Sequence, residues 1–335
     1  MSATSSTTLI SIDEIARQRI AIKAAKLWQS FGPLVIFGLL FGLVSIMTPS
    51  FLGNGGLTIV AASAAPILLV ALGQSMVLNV GSIDLSNSAI TLLGAILLAM
   101  SLEPLANLAP VAVVALVTLF GAVNGFIFAY TQVPSFALTL GTFGIFQSAA
   151  LVVSGATTVY VNANGDAVQS LYFNNWLGAP YTFWMGVVVA IVAWLLLRFT
   201  KAGRGMTAIG KNEAGAIFSG IKTKALKVSA FAISGFMAGL AAITIIAQAG
   251  SASPTGLGSD LLLPGITAAI VGGTSISGGQ TNPINVVFGA LTVALVPIAT
   301  ASIGIEAQAQ SLVYGAVIIV IVALTLSRSK NSIVK

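Results

Sequence analysis

The sequence predicts an all-α membrane protein with about ten transmembrane helices, an inverted repeat, and helices broken near the midplane. Three observations predict it. First, 57% of the 335 residues are hydrophobic and only 7% are charged, whereas soluble domains carry about 25% charged residues. So little charge cannot cover a water-facing globule. Second, apolar runs long enough for a crossing helix, which needs about 20 apolar residues, recur along the chain. Third, the fourteen Lys and Arg residues fall in three clusters, with none between Lys26 and Arg198 and none between Lys227 and Arg328.

Residues 1–30 read as a cytoplasmic or interfacial segment. Leu9, Ile12, Ile15 and Ile22 recur at roughly helical spacing, and Arg17, Arg19, Lys23 and Lys26 supply the other face. That pattern fits a helix lying in the interface or a solvated leader. Residues 1–8 are polar and charges follow them, which is not the pattern of a cleavable signal peptide. The transmembrane body, 31–327, holds candidate spans at roughly 31–49, 57–78, 86–102, 108–130, 135–155 and 181–199. Four more follow at roughly 226–250, 260–276, 283–303 and 307–327. By the positive-inside rule the N-terminus, the central stretch 198–227 and the tail 328–335 face the cytoplasm. Each apolar block must then cross an even number of times, and six and four do. The least regular stretches are 79–86 and 260–276, the latter open to a broken or re-entrant reading. The stretch 156–180 falls outside. It carries Asn162, Asn164, Asp166, Asn174, Asn175 and Trp176 and no basic residue, as a solvated connection or a docking surface would.

The net charge of +6 follows from the three clusters. It reads as topology and lipid-headgroup contact, with no nucleic-acid face. The chain has no Cys and no His. That removes disulfides, thiolate metal sites, the usual general base and the usual imidazole ligand. No metal site, cofactor or catalytic residue is expected, and an intramembrane enzyme would also lack paired acids within a span.

The two apolar blocks hint at duplication. Asn79-Val-Gly-Ser-Ile-Asp-Leu-Ser interrupts the first and Gly272-Gly-Thr-Ser-Ile-Ser-Gly-Gly the second, and each is followed by a Gly-Ala pair. Paired Gly-interrupted segments point to inverted repeats around a midplane site. Asp84 is the acid most deeply embedded in apolar sequence. An ionisable residue there is costly and marks a functional hypothesis. It also precedes a helix start, where it can cap free N–H groups. Gln74, Asn79, Asn87, Asn124, Thr139, Thr142, Gln147 and Gln248 lie within or beside spans, where they either tie helices together or line a polar path. As a set, uncharged amides and hydroxyls suit a neutral polyhydroxylated solute better than an ion. Phe136, Phe143 and Phe146 offer faces for a sugar ring, or face lipid or core.

The stretch 198–227 holds Arg198, Lys201, Arg204, Lys211, Lys222, Lys224 and Lys227, seven of the fourteen basic residues. Within it, Gly205-Met-Thr-Ala-Ile-Gly-Lys211 fits the first seven positions of a phosphate-binding loop. Asn212 then stands where Ser or Thr should ligate magnesium, and a span precedes it in place of a strand. Nucleotide binding here is rejected. After it, Asn212 can cap a short helix with Glu213 in its first turn and Gly220 stopping it. Ile217 and Phe218 would then form a knob for a groove in another protein, or lie on the membrane.

Three stretches together resemble the ribose-type sugar ABC importer permeases. Gly81-Ser-Ile-Asp-Leu-Ser resembles their GGIDLS signature. Thr200 through Glu213 to Ile221 resembles their cytoplasmic coupling segment, and Ile270-Val-Gly-Gly-Thr-Ser-Ile-Ser-Gly-Gly279 their VIGGTSLSGG signature. The resemblance spans about 31–327 with the motifs in the family's order. It implies a permease subunit of the bacterial inner membrane that moves a monosaccharide or similar solute by ATP-driven alternating access. The implied partners are an ATP-binding subunit with two nucleotide-binding domains, a periplasmic sugar-binding protein, and a second permease copy, identical or paralogous. The short helix 212–219 would couple to the ATPase through Arg204, Gly210, Asn212, Glu213, Ala214, Ile217, Phe218 and Gly220. The pathway would run past Gln74, Asn79, Asp84, Ser86, Asn87, Asn124, Phe136, Thr139, Phe143, Gln147, Gln248, Thr274 and Ser275. The chain departs from the family at Ser82, at Asn87-Ser88 and at 280–285, so substrate identity is not carried over. The alternatives are an ABC permease for branched-chain amino acids and an ion-coupled secondary transporter.

Overall fold

A computed structural model describes residues 12–53, 55–131, 133–255, 260–304, 306, 309, 312–316 and 319. Its helices, in chain order, are α1 (Ile12–Met47), α2 (Ser50–Gly53), α3 (Gly56–Asn79), α4 (Ser86–Leu105), α5 (Ala109–Thr131), α6 (Ser135–Ser154), α7 (Asp166–Phe173), α8 (Tyr181–Phe199), α9 (Lys201–Lys211), α10 (Glu213–Phe218), α11 (Thr223–Ala249), α12 (Leu262–Val271) and α13 (Pro283–Ser302). Helices dominate because the backbone must satisfy its own hydrogen bonds in lipid. Seven of them, α3, α4, α5, α6, α8, α11 and α13, are apolar and long enough to cross; α4 and α5 join at a bend where Ala106 takes φ 47°. The apolar part of α1, Phe31–Met47, and the ten-residue α12 are shorter. At about 1.5 Å per residue α12 covers about half a bilayer core, so the run 260–276 is a half-helix. These elements match nine of the ten predicted spans. Most of the tenth, 307–327, and the tail 328–335 lie outside the described residues.

Two expectations need correction. The sequence separates a leader helix from the first span, but α1 is one continuous helix of 36 residues running through Pro33. A proline inside a long membrane helix is tolerated where neighbours re-satisfy the freed carbonyl. The stretch 156–180 reads as a loop, but it folds. Strand β1 (Val159–Tyr160) pairs antiparallel with β4 (Ser251–Ala252), α7 follows, and β2 (Asn175–Trp176) pairs with β3 (Ala179–Pro180). Asn164 Nδ2 fastens this cap to the end of α4 by donating to the carbonyls of Leu102, at 3.1 Å, and Glu103, at 3.2 Å.

The core is built around α3 and α11, which are buried over most of their length. Helix α11 packs on α5, α3 and α4. Its closest approach is to α5, where Gly121 meets Gly235, Gly125 meets Val228 and Phe231, and Gly239 meets Val114 and Val117. A Cβ at any of the four glycines would run into the opposite helix. Small residues four apart on both partners let backbones touch, which is how membrane helices gain packing energy without a hydrophobic driving force between them.

Candidate functional site

The two Gly-marked breaks and the basic segment meet at one junction. Helix α3 ends at Asn79, whose carbonyl accepts from the Gly279 N–H at 3.0 Å. Asn79 Nδ2 donates to Thr207 Oγ1 of α9 at 3.1 Å. Gly210, near the end of α9, lies against both breaks. A Cβ there would strike the Asn79 carbonyl and the Gly279 backbone, and one on Gly278 would strike Gly81 and Gly210. Gly81, Gly278 and Gly279 all have positive φ, at 74°, 91° and 71°. The second break is tied internally: Thr274 and Thr281 share a hydroxyl–hydroxyl bond of 2.8 Å, and Ser275 and Ser277 one of 3.2 Å.

Above this junction the first break turns into a buried polar node. Asp84 Oδ1 accepts from the Ser86 N–H at 3.0 Å and the Ser86 hydroxyl at 2.6 Å, and its Oδ2 accepts from the Ser234 hydroxyl of α11 at 2.8 Å. Asp84 thus caps the start of α4 and also grips the middle of α11. Asn87 Nδ2 donates to the Ser234 carbonyl at 3.0 Å and hydroxyl at 2.5 Å. Asn124 Nδ2 adds bonds to Ser86 Oγ, at 2.9 Å, and Thr142 Oγ1, at 3.1 Å. Asp84, Ser86, Asn87 and Ser234 are each no more than 1% exposed. The start of α6 joins through Ser135 Oγ, which accepts from the Ile83 N–H at 3.1 Å, and Thr139 Oγ1, which donates to the Ser135 carbonyl at 2.8 Å.

Of the residues predicted for a pathway, Gln74, Asp84 and Asn87 line one crevice between α3, α4 and α12. Ser86 and Asn124 bond into the same node, while Asn79, Thr274 and Ser275 sit at the junction and second break. Phe136, Phe143, Gln147 and Gln248 do not line the crevice. Phe136 lies on the exposed side of α6; Phe143, Gln147 and Gln248 are half-buried. Phe146 stacks on Phe120 with centroids 5.1 Å apart. Ser234 and Thr207 were missed as participants. Nothing local marks a lone Ser or Thr on a helix as a partner for residues about 130–150 positions away.

The basic segment folds as two short helices against the bundle. Thr200 Oγ1 caps α9 by accepting from the Gly203 N–H at 2.9 Å. Gly203, Gly205, Met206 and Ile209 of α9 are buried, while Lys201, Arg204 and Lys211 face out. The stretch Gly205–Lys211 that imitates a phosphate-binding loop is therefore helix. Asn212 Oδ1 caps α10 by accepting from the Gly215 N–H at 3.0 Å, and Gly220, with φ 75°, follows its end. Ala214 and Ile217 are exposed, and Phe218 is 91% exposed. Glu213 pairs with Lys227 at the start of α11 at 2.6 Å. Lys227 also stands 4.9 Å over the Phe128 ring.

The profile of a family described as branched-chain amino acid transport system / permease component matches residues 56–322. The ribose import permease protein RbsC of Haemophilus influenzae is 33% identical over 88% of this chain and 91% of its own length. The D-allose transport system permease protein AlsC of Escherichia coli is 30% identical over 92% of this chain and 95% of its own. The autoinducer 2 import system permease protein LsrC of Escherichia coli is 35% identical over 75% of this chain and 73% of its own. No solved structure matches the chain.

Proposed function

This chain belongs to the branched-chain amino acid transport system permease component family, among its ribose-type sugar ABC importer permeases, and from that premise we propose how it moves its solute. It is a multi-pass inner-membrane permease subunit that imports a monosaccharide or a similar neutral, polyhydroxylated solute. The relatives reported above are named for ribose, allose and autoinducer 2, none for an amino acid, which favours the sugar reading. An ATP-binding subunit and a periplasmic binding protein complete such an importer. A second permease copy, identical or paralogous, completes the pore, and the termini and 198–227 face the cytoplasm. The chain itself performs no catalysis.

The observation that carries the reading is the junction where Asn79, Gly210 and Gly279 meet. It joins the segment that resembles a coupling element to both helix breaks through backbone contact. In this account the ATP-binding subunit grips the exposed end of α10, at Ala214, Ile217 and Phe218. Its closure on ATP moves α9 and α10 as a unit, and the glycine junction passes that motion to the breaks. A partner can bias such a two-state element only by binding one state better than the other. Ion coupling is disfavoured because the Asp84 carboxylate is committed to Ser86 and Ser234.

Co-purification from native membrane without crosslinking tests the reading. The account expects an ATP-binding subunit and a sugar-binding protein to come with the permease. Full solute uptake by the permease in vesicles lacking any ATP-binding protein would overturn it.

A further inference from the structure

The crevice beside Asp84 holds an imbalance that neither the fold nor the coupling scheme explains. Four buried side-chain atoms among the described residues lack a hydrogen-bond partner, and three of them belong to residues that line this one place: Gln74 Nε2, Asn87 Oδ1 and Ser88 Oγ. Their residues are 2%, 1% and 1% exposed. Leu262 and Ile266 of α12 cover the opposite wall. A buried polar atom left unpaired is expensive, so such atoms call for an explanation.

The orphaned atoms form a complementary set: an amide N–H that must donate, an amide oxygen that must accept, and a hydroxyl that does either. A cation would meet the Gln74 N–H, and an anion would meet the Asp84 carboxylate. An apolar group would leave all three unpaired. An uncharged hydroxyl matches this set in chemistry, because its oxygen can accept from Gln74 and its hydrogen can go to Asn87 or Ser88. The set is also held in place. Asn87 spends its amide hydrogens on Ser234, and Ser234 is fixed in turn by Asp84. The Asn87 oxygen is therefore the part left without a partner.

We propose that Gln74, Asn87 and Ser88 form a binding station for a hydroxyl group of the transported solute, with Asp84 and Ser234 as positioning residues. The proposal rests on the reading of this chain as a permease for a hydroxylated solute, and it adds the groups that touch that solute. A hydroxyl has two sources, the passing solute or a resident water, and their consequences differ. If the atoms are kept for the solute, apolar replacements relieve an unpaired buried group, so stability holds or rises while transport falls. If they hold a structural water, the same replacements remove its partners and stability falls.

The test uses the complete importer in proteoliposomes, with labelled D-ribose and D-allose as probes, and compares wild type with Gln74→Leu and Ser88→Ala. Melting temperatures of the purified permeases are measured in parallel. The station predicts that each variant inserts normally, melts at or above the wild-type temperature, and loses about tenfold in uptake, roughly one hydrogen bond's worth. Variants that melt several degrees lower, with uptake falling only in step with protein amount, would overturn the station in favour of a structural water. Wild-type uptake that both variants retain in full would overturn it as well, leaving the permease reading intact. A wild-type importer that moves neither probe would overturn the hydroxylated-solute reading and the station with it.

Discussion

Helix α11 is held by two acids, and they hold it differently. Near its start Lys227 meets Glu213 of α10, whose side chain is 45% exposed. Two turns further on, Ser234 meets Asp84, which is 1% exposed. Residues seven apart share a helix face, so one face of α11 connects the exposed segment to the buried node. The outer contact is a screened surface pair, worth about 0–1 kcal/mol. Such a contact can break and re-form without threatening the fold. The inner contact is fully buried, and breaking it would strand the Ser234 hydroxyl hydrogen away from water, which is costly. The difference lies in how each end is attached: α10 is held by a contact that breaks at little cost, and the node by contacts that do not.

The comparison is broken most severely at the node. Asp84→Ala would leave the Ser86 N–H, the Ser86 hydroxyl and the Ser234 hydroxyl without their acceptor. At about 1–3 kcal/mol per stranded group, most of the protein should fail to reach the membrane in folded form, as read by its yield after mild solubilisation. Asp84→Asn keeps an acceptor for the cap and should reduce uptake only in part. Complete loss of uptake in a normally folded Asp84→Asn protein would mean that the charge itself is used in transport.

Gly210→Ala should come next. Its Cβ would strike the Asn79 carbonyl and the Gly279 backbone, neither of which is the free end of a flexible side chain. Uptake should be lost together with binding of the ATP-binding subunit, while the membrane-embedded helices remain inserted by protease protection.

The smallest effect on stability, with a large one on transport, should come from Glu213→Ala. Melting should shift by no more than a few degrees, and insertion should be normal, but uptake should be abolished. Unchanged uptake would remove Glu213 and the surface pair from the coupling route.

The spans were legible because length and apolarity decide them: the run 181–199 coincides with α8, and 57–78 falls within α3. Local capping was legible too, since Asn212 caps α10 through a residue only three positions on. The continuity of α1 through Pro33 was not, because a proline's local cost can be met by tertiary neighbours that the sequence does not display. Nor were the partners of Asp84 and Asn87. Their residue types announced a buried polar site, but Ser234 lies about 150 positions away and has no local mark. Glu213 was legible as a first-turn residue of a short helix and illegible as a partner of Lys227, since the turn that brings them together is set by Gly220 and the packing of α9.

The central claim is that α9 and α10 form a cytoplasmic lever worked by an ATP-binding partner. The natural chain has no cysteine, so a single Ser219→Cys protein reports the accessibility of one exposed position at the end of α10. The account predicts that a membrane-impermeant maleimide labels it in inside-out vesicles, not in right-side-out ones, and that bound ATP-binding subunit protects it. Labelling from the outer face would contradict the account.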